Sequence, residues 1–322
     1  MKRRDFLAAG GAAALSGALP AARAQSVTVR QGYQTNMWGM PTYYLLRSGA
    51  LEKHGIKAEE FAVPSGNITM QQMVGRQVDL GTYAGPAFLI GHARGNLVVV
   101  AQIEEVGKTT RIMARKELGL KTVADLRGRK IANQTGSSIG SVFTETIAPK
   151  AGLKKDDWQE VRMNVNDMVA AMAAKTVDAM INVEPYNSIA EADGIATTIM
   201  NYWDVDRMPV FMAATPEFID KNPDAMVRYL RAWLDVAADF KNNKKKVSDT
   251  IYAFYTSKGY KMSPDTFANA VSTIEVSPSF PGDLQRYMEQ QAEILQRGKK
   301  IKQMPDWKAA LRPEFMKRAR GA

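Results

Sequence analysis

Apolar and polar positions alternate along SVTVRQGY, as on a half-buried strand. PTYYLLRSGALEKHG follows with apolar residues at helical spacing and Gly55 as a stop. IKAEEFAV then predicts a strand, NITMQQMVGRQ a helix and VDLGTYA a strand. LVVVAQI (Leu97–Ile103) and TTRIMAR (Thr109–Arg115) predict two more strands joined by EEVGK, and TVADLRG is a short helix leading into RKIANQ. The order repeats downstream: WQEVRMN as strand, VNDMVAAMAAKT as helix, VDAMINV as strand, PYNSIAEAD as helix. Strands alternating with helices across short connections predict an α/β fold with parallel strands covered on both faces.

The repetition extends to sequence. Met70–Ala87, MQQMVGRQVDLGTYAGPA, and Met168–Pro185, MVAAMAAKTVDAMINVEP, both run helix, Val-Asp, apolar strand, then a turn with proline. Two such halves predict two lobes with a cleft between them. From Thr215 the pattern is helical. In NPDAMVRYLRAWLDVAADF, Asn222 is placed to cap and Pro223 falls in the first turn. Met226, Tyr229, Leu230, Trp233, Ala237 and Phe240 share one face, which predicts core packing. SPDTFANAVSTI and DLQRYMEQQAEILQRGKK continue as helices.

Candidate chemistry gathers in loops that follow strands, where open α/β sheets bind ligands. NQTGSSIGSVFTETI (Asn133–Ile147) enters a helix whose first N–H groups lack internal partners. Thr135, Ser137 and Ser138 offer hydroxyls there, and Gly136 permits close approach to the backbone, a combination suited to a sulfonate, carboxylate or phosphate. The spacing from Gly136 to Gly140, with no lysine following, is not that of a phosphate-binding P-loop. A capped helix end without ligand is the plain alternative for this stretch. PSGNITMQQ carries Ser65 and Gly66 into another helix, TYAGPA places Tyr83 and Gly85 at a strand end, and QTNMWGMP places Asn36 and Trp38 after the first strand. In NVEPYN, Glu184 is placed either to accept from a ligand or to cap the helix starting near Pro185.

Composition removes several functions. The 322 residues contain no cysteine and two histidines, so disulfides and cysteine-ligated metals are absent. His54 and His92 both sit where helices end, and no His-x-x-x-His pair or nucleophile elbow occurs. No catalytic residue, metal site or cofactor is expected. Net charge is +10; Lys2, Arg3, Arg4 and Arg23 against Asp5 leave about +7 beyond residue 24. The basic runs KNNKKK (Lys241–Lys246) and RGKKIK (Arg297–Lys302) lie among helices as solvated ends, supporting mild attraction for anions or membrane and not a nucleic-acid stripe. Residues 1–24 combine MKRRDFL, a short Gly- and Ala-rich apolar run and Ala22–Ala24 before Gln25, the layout of a secretory signal peptide. Arg3-Arg4 followed by Asp5, Phe6 and Leu7 resembles a twin-arginine export signal, with a general Sec signal as the alternative. Without a cysteine to lipidate, the exported chain is expected to be free and soluble.

In this order, VRQGYQTN, VDLGTYAGPA, KTVADLRGRKIA, KTVDAMINVEPY and TPEFIDKNPDAMVRYLRAW resemble the substrate-binding proteins of ABC importers for taurine, aliphatic sulfonates and nitrate, a group that includes binders of thiamine-pyrimidine precursors. The resemblance implies a two-lobed periplasmic binding protein type II fold with a helical C-terminal extension. Lobe 1 would comprise 25–105 and 205–322, lobe 2 would comprise 106–204, with crossings near Glu104–Lys108 and Tyr202–Met208. It implies a periplasmic, non-enzymatic, monomeric protein that binds a small organic anion between the lobes and delivers it to a membrane permease. Asn36, Trp38, Ser65, Gly66, Tyr83, Gly85, Ser137, Ser138 and Glu184 map onto the strand-end loops that touch ligand in such proteins, with Thr135, Gly136 and Tyr186 beside them.

Two departures bear on the ligand. Sulfonate binders tend to show a hydroxyl-rich turn where this chain has Tyr83-Ala84-Gly85-Pro86, and Val183 stands where a tryptophan often precedes the second proline turn. Trp38 and Tyr83, extended by Tyr186 and Phe143, favour a larger, partly apolar acid, with an aromatic carboxylate or sulfonate as the first expectation. The rival ligand is a pyrimidine-type heterocycle stacked on Trp38 with Glu184 accepting from a ring amine. The rival class is a pyrimidine-synthase-like enzyme, which would want a cofactor-anchoring lysine and a reactive histidine.

Overall fold

The computed structural model describes residues 26–321, so the predicted signal peptide lies outside the described residues. Among the described residues, eleven strands form two sheets. The first sheet contains β1 (Val27–Gln34), β2 (Ile56–Val63), β3 (Leu80–Ala84), β4 (Val98–Glu105), β10 (Pro209–Ala214) and β11 (Glu275–Ser279), in the order β11-β4-β10-β3-β1-β2. The second contains β5 (Thr110–Arg115), β6 (Lys130–Asn133), β7 (Gln159–Arg162), β8 (Ala179–Val183) and β9 (Ala196–Asn201), in the order β7-β6-β8-β5-β9.

The purely parallel arrangement read from the alternation needs correction, because both sheets are mixed. β10 runs antiparallel to β3 and β4, and β5 runs antiparallel to β8 and β9. The cause is the path of the chain. It leaves the first sheet at Glu105, crosses through Val106–Thr109 and enters the second sheet as β5; it returns through Tyr202–Met208 and enters the first as β10. Each arriving strand therefore starts at the hinge and points away from it, while its neighbours end there. Pro209 stands opposite Glu105, and Thr110 opposite Val183. With β11 set aside, the sheets share one plan: β2-β1-β3-β10-β4 matches β7-β6-β8-β5-β9. The repeat between Met70–Ala87 and Met168–Pro185 is this equivalence of β3 with β8.

Helices cover both sheets. The predicted helix after β1 is broken into Met40–Leu45 and Ala50–Lys53, because Gly49 takes φ +82° between them. TYAGPA does not end in a simple turn: Gly85–Gly95 is a helix with Pro86 in its first turn, where a missing N–H costs nothing. The long helix Pro223–Asn242 buries Met226, Tyr229, Leu230 and Trp233 completely, as the stripe predicted. The crossings are also packed: Tyr202 donates from its hydroxyl to the Ile139 carbonyl at 2.9 Å.

Glu104, at the hinge end of β4, is 2% exposed, and its Oε2 has no partner. Burial pushes its carboxyl well above the ordinary value near 4.5. The folded chain therefore holds a proton that the unfolded chain releases, so stability is full below that ordinary value and declines as pH rises toward the folded one. Glu104→Gln should remove this slope. Melting measured from pH 5 upward should show the variant gaining on the parent as pH rises; parallel curves would mean that Glu104 is not buried as an acid.

Candidate functional site

Carboxyl ends of β1, β2, β3, β6 and β8 point at the space between the lobes, and the loops that follow them line it. From the first lobe come Gln34, the last residue of β1, Asn36 and Trp38 beyond it, Ser65, Gly66 and Asn67 after β2, and Tyr83 and Ala84 of β3. From the second come Gln134, Ser137, Ser138 and Ile139 after β6, and Val183 of β8. They enclose about 20 Å³, room for a water molecule. Wider grooves of about 800 to 1030 Å³ lie among the C-terminal helices, away from the convergent strand ends.

Each lining group is held by a local device. The Gln34 side-chain carbonyl accepts from Gly66 N–H at 2.9 Å, which fixes the amide and leaves Nε2 buried without a protein partner. Gly66 is required here, because a Cβ would lie 2.6 Å from the Cβ of Tyr83. Across the cleft, Gln134 Nε2 is likewise buried and unpartnered. Gln34 ends β1 and Gln134 directly follows the equivalent strand β6, so the two halves present the same donor to one space. Ser65 precedes the helix Gly66–Val74 without its hydroxyl capping that helix, which leaves the hydroxyl for the cleft.

Asn36 uses its Oδ1 on Trp38 N–H at 3.0 Å. The Trp38 indole donates to Thr109 Oγ1 at 2.8 Å, and that hydroxyl donates to the Val106 carbonyl at 2.7 Å. The ring is thus tied to the first crossing. Tyr83 donates to Met73 Sδ at 3.3 Å and is 1% exposed; burial pushes its phenol up, so it remains a neutral ring.

Several expected residues lie elsewhere. Ser137 borders the cleft, but its hydroxyl donates to the Gln134 carbonyl at 2.7 Å and accepts from Gly140 N–H at 3.3 Å, so it serves as a helix cap. Thr135 and Gly136 are exposed; Thr135 donates to Glu160, and Gly136 turns the chain at φ +83°. Gly85 faces Tyr287, Met288 and Phe211 of its own lobe. Glu184 is fully buried: it binds Arg111 at 2.6 Å and accepts from Ser188 N–H at 3.1 Å, so the capping alternative describes its place. Burial pushes its carboxyl up, against the pull of Arg111 and Ser188. Tyr186 packs against Tyr255 and Tyr260, and Phe143 against Trp158; neither lines the cavity. Gln34, Asn67 and Gln134 were not singled out in the sequence, although each lies in a strand-end loop that was. The missing signal was the side-chain amide at the strand terminus itself.

Among the described residues, no charged side chain lines the cavity. The lining is donor-rich and neutral, with the N-terminal ends of two helical segments turned toward it. Such a wall offers donors to oxygen acceptors and no carboxylate to an amine. His54 pairs with Asp235 at 3.0 Å and His92 meets the Leu97 carbonyl at 2.8 Å, both remote from the cleft.

Two equivalent α/β lobes, two crossings and a cleft at the strand ends define the type II periplasmic binding protein fold. Solved structures agree: the alkanesulfonate-binding protein SsuA from Xanthomonas axonopodis pv. citri, bound to MOPS, superposes with TM-score 0.75 at 20% identity over 86% of this chain and 95% of that one. Residues 39–246 match the family model described as NMT1/THI5 like, and the chain belongs to that family. Among relatives, a Brucella abortus (strain 2308) protein named as a binding protein is 33% identical over 79% of this chain and 78% of its own length. An Escherichia coli K12 protein named for binding aliphatic sulfonates is 30% identical over 67% of this chain and 68% of its own.

Proposed function

We propose that this chain is the periplasmic solute-binding component of an ABC import system, holding a small organic acid between its lobes and passing it to a membrane permease. One observation carries the reading: Gln34 Nε2 and Gln134 Nε2, one from each lobe, are buried donors without protein partners at a cleft that contains no charge. A buried donor left unsatisfied costs about 1–3 kcal/mol, which an acceptor on the ligand would recover. An acid bridging both amides therefore favours the closed arrangement, the differential affinity that lobe closure needs.

The ligand class follows from the same lining. A sulfonate or carboxylate supplies several acceptor oxygens to Gln34, Gln134, the Ser65 hydroxyl and free helix N–H groups. The lining supplies no carboxylate for the amine of taurine. Glu184, the acceptor that a pyrimidine would need, is committed to Arg111 and Ser188. The small enclosed space argues for a compact head group; a longer or aromatic body would hold the lobes further apart, against Trp38 and Tyr83. Among the described residues no helix is long and apolar enough to cross a membrane.

A thermal-shift screen of residues 25–322 against sulfonates, aromatic carboxylates, nitrate, taurine and pyrimidines tests the proposal. A ligand at a hundred times its dissociation constant adds about 2.7 kcal/mol. The expected response is confined to organic acids. A response to heterocycles alone would reject the acid reading.

A further inference from the structure

The +10 charge of the chain is not spread evenly. Two grooves of about 1030 and 1020 Å³ adjoin on the first lobe and share Lys308 and Arg312 as a common wall. Together their lining holds eight Lys or Arg side chains against three carboxylates, a local excess of five positive charges. Arg94, Lys299, Lys302, Lys308 and Lys317 are exposed, and among the described residues none of them forms an ion pair. Apolar side chains belong to the same linings, Met304 to one groove and Trp307 to the other. Met304 is 36% exposed, one of two large hydrophobics left open among the described residues, and the half-buried Trp307 lies three residues on.

The other basic run behaves differently. Lys241, Lys244 and Lys245 border a groove of about 800 Å³ that also contains Asp249, Asp265 and Glu275, so charge there is balanced. Lys245 and Lys246 are paired with Asp249 and Asp239. Unpaired cations around an exposed methionine and a tryptophan are the chemistry of a protein face that rests on a bilayer, with aromatic and sulfur side chains at head-group depth and cations among anionic head groups.

We propose that the face formed by Lys299–Lys302, Met304, Trp307, Lys308 and Lys317 docks on anionic phospholipid head groups. Each cation near such a surface contributes about a fivefold gain at low salt, and the gain fades as salt screens it. None of these side chains lines the cavity, though Lys300 reaches across to Ser141 Oγ of the second lobe at 3.1 Å.

Sedimentation with vesicles of phosphatidylcholine containing 0 or about 30% phosphatidylglycerol, at low and high salt, tests this. Residues 25–322 are used, because the basic, apolar leader would itself bind vesicles. The expected result is binding that needs phosphatidylglycerol and fades at high salt. Lys302→Glu/Lys308→Glu/Lys317→Glu should lower it at least about a hundredfold. Lys241→Glu/Lys244→Glu/Lys245→Glu, with the same change in net charge, should lower it less than about threefold. Far-ultraviolet circular dichroism and melting establish that both variants fold. Equal losses in the two variants would show attraction by net charge alone and overturn the proposal. Absence of binding to phosphatidylglycerol vesicles at low salt would also overturn it.

Discussion

Gln34→Glu lowers affinity for an organic acid at least about a hundredfold, roughly 2.7 kcal/mol. The substitution keeps the shape of the side chain and the Oε1 that accepts from Gly66 N–H, so the loop retains its anchor. What changes is the other atom. An unpartnered N–H donor becomes a carboxylate oxygen facing the anion. The loss combines a charge-assisted hydrogen bond, about 1.5–3 kcal/mol, with repulsion between like charges in a cleft closed to bulk water. Calorimetric titration of parent and variant measures it. An amine ligand would bind the variant more tightly, and a neutral heterocycle would scarcely distinguish the two. The sign of the change therefore reports the charge of the ligand.

Arg111→Ala destabilises the fold by about 3 kcal/mol, because it strips a fully buried Glu184 of its cation. Ser188 N–H still serves one carboxylate oxygen, and Arg111 is partly open to solvent, which keeps the loss near the low end for a broken buried pair. Burial already pushes the Glu184 carboxyl up, and losing Arg111 pushes it further. The variant's deficit therefore grows as pH rises above the ordinary carboxylate range. Adding Glu184→Gln should restore much of the stability. Ligand affinity of the folded variant should stay within about twofold, since neither residue lines the cavity. Abolished binding with unchanged melting would instead turn Glu184 toward the ligand.

The fold was legible where period and punctuation agreed. IKAEEFAV corresponds to β2 residue for residue, and the amphipathic stripe from Met226 to Trp233 is buried as its spacing required. β9, β10 and β11 were not read from the sequence, for distinct reasons. In ATTIMN and PVFMAA, between the last alternating unit and the helical region, no strand–helix rhythm frames the apolar residues, and β10 is buried at every position. EVSPS carries a proline and pairs only as an edge strand, which such a composition hides. Mixed strand direction is invisible in any local pattern, because it is fixed by where the crossings send the chain.

At the site, loops were easier to read than side chains. QTNMWGMP, PSGNITMQQ and NQTGSSIG all border the cleft, as expected for segments following parallel strands. Within them and in NVEPYN, hydroxyls and the lone carboxylate, Glu184, draw the chemistry. Yet Ser137 caps its helix, Thr135 serves Glu160, and Glu184 serves Arg111. Sequence gives the capacity of a side chain to bond, while neighbours far along the chain determine which bonds are already made. The amides of Gln34 and Gln134 stand out only when those partners are counted.

The central claim is that the cleft holds an organic anion through neutral donors from both lobes. The most direct measurement is calorimetric titration of residues 25–322 with a short alkanesulfonate and with its uncharged sulfonamide. Saturable binding of the sulfonate, with the sulfonamide weaker by about tenfold or more, is the predicted result. Equal affinity for the two, or binding of neither while a pyrimidine binds, would contradict it.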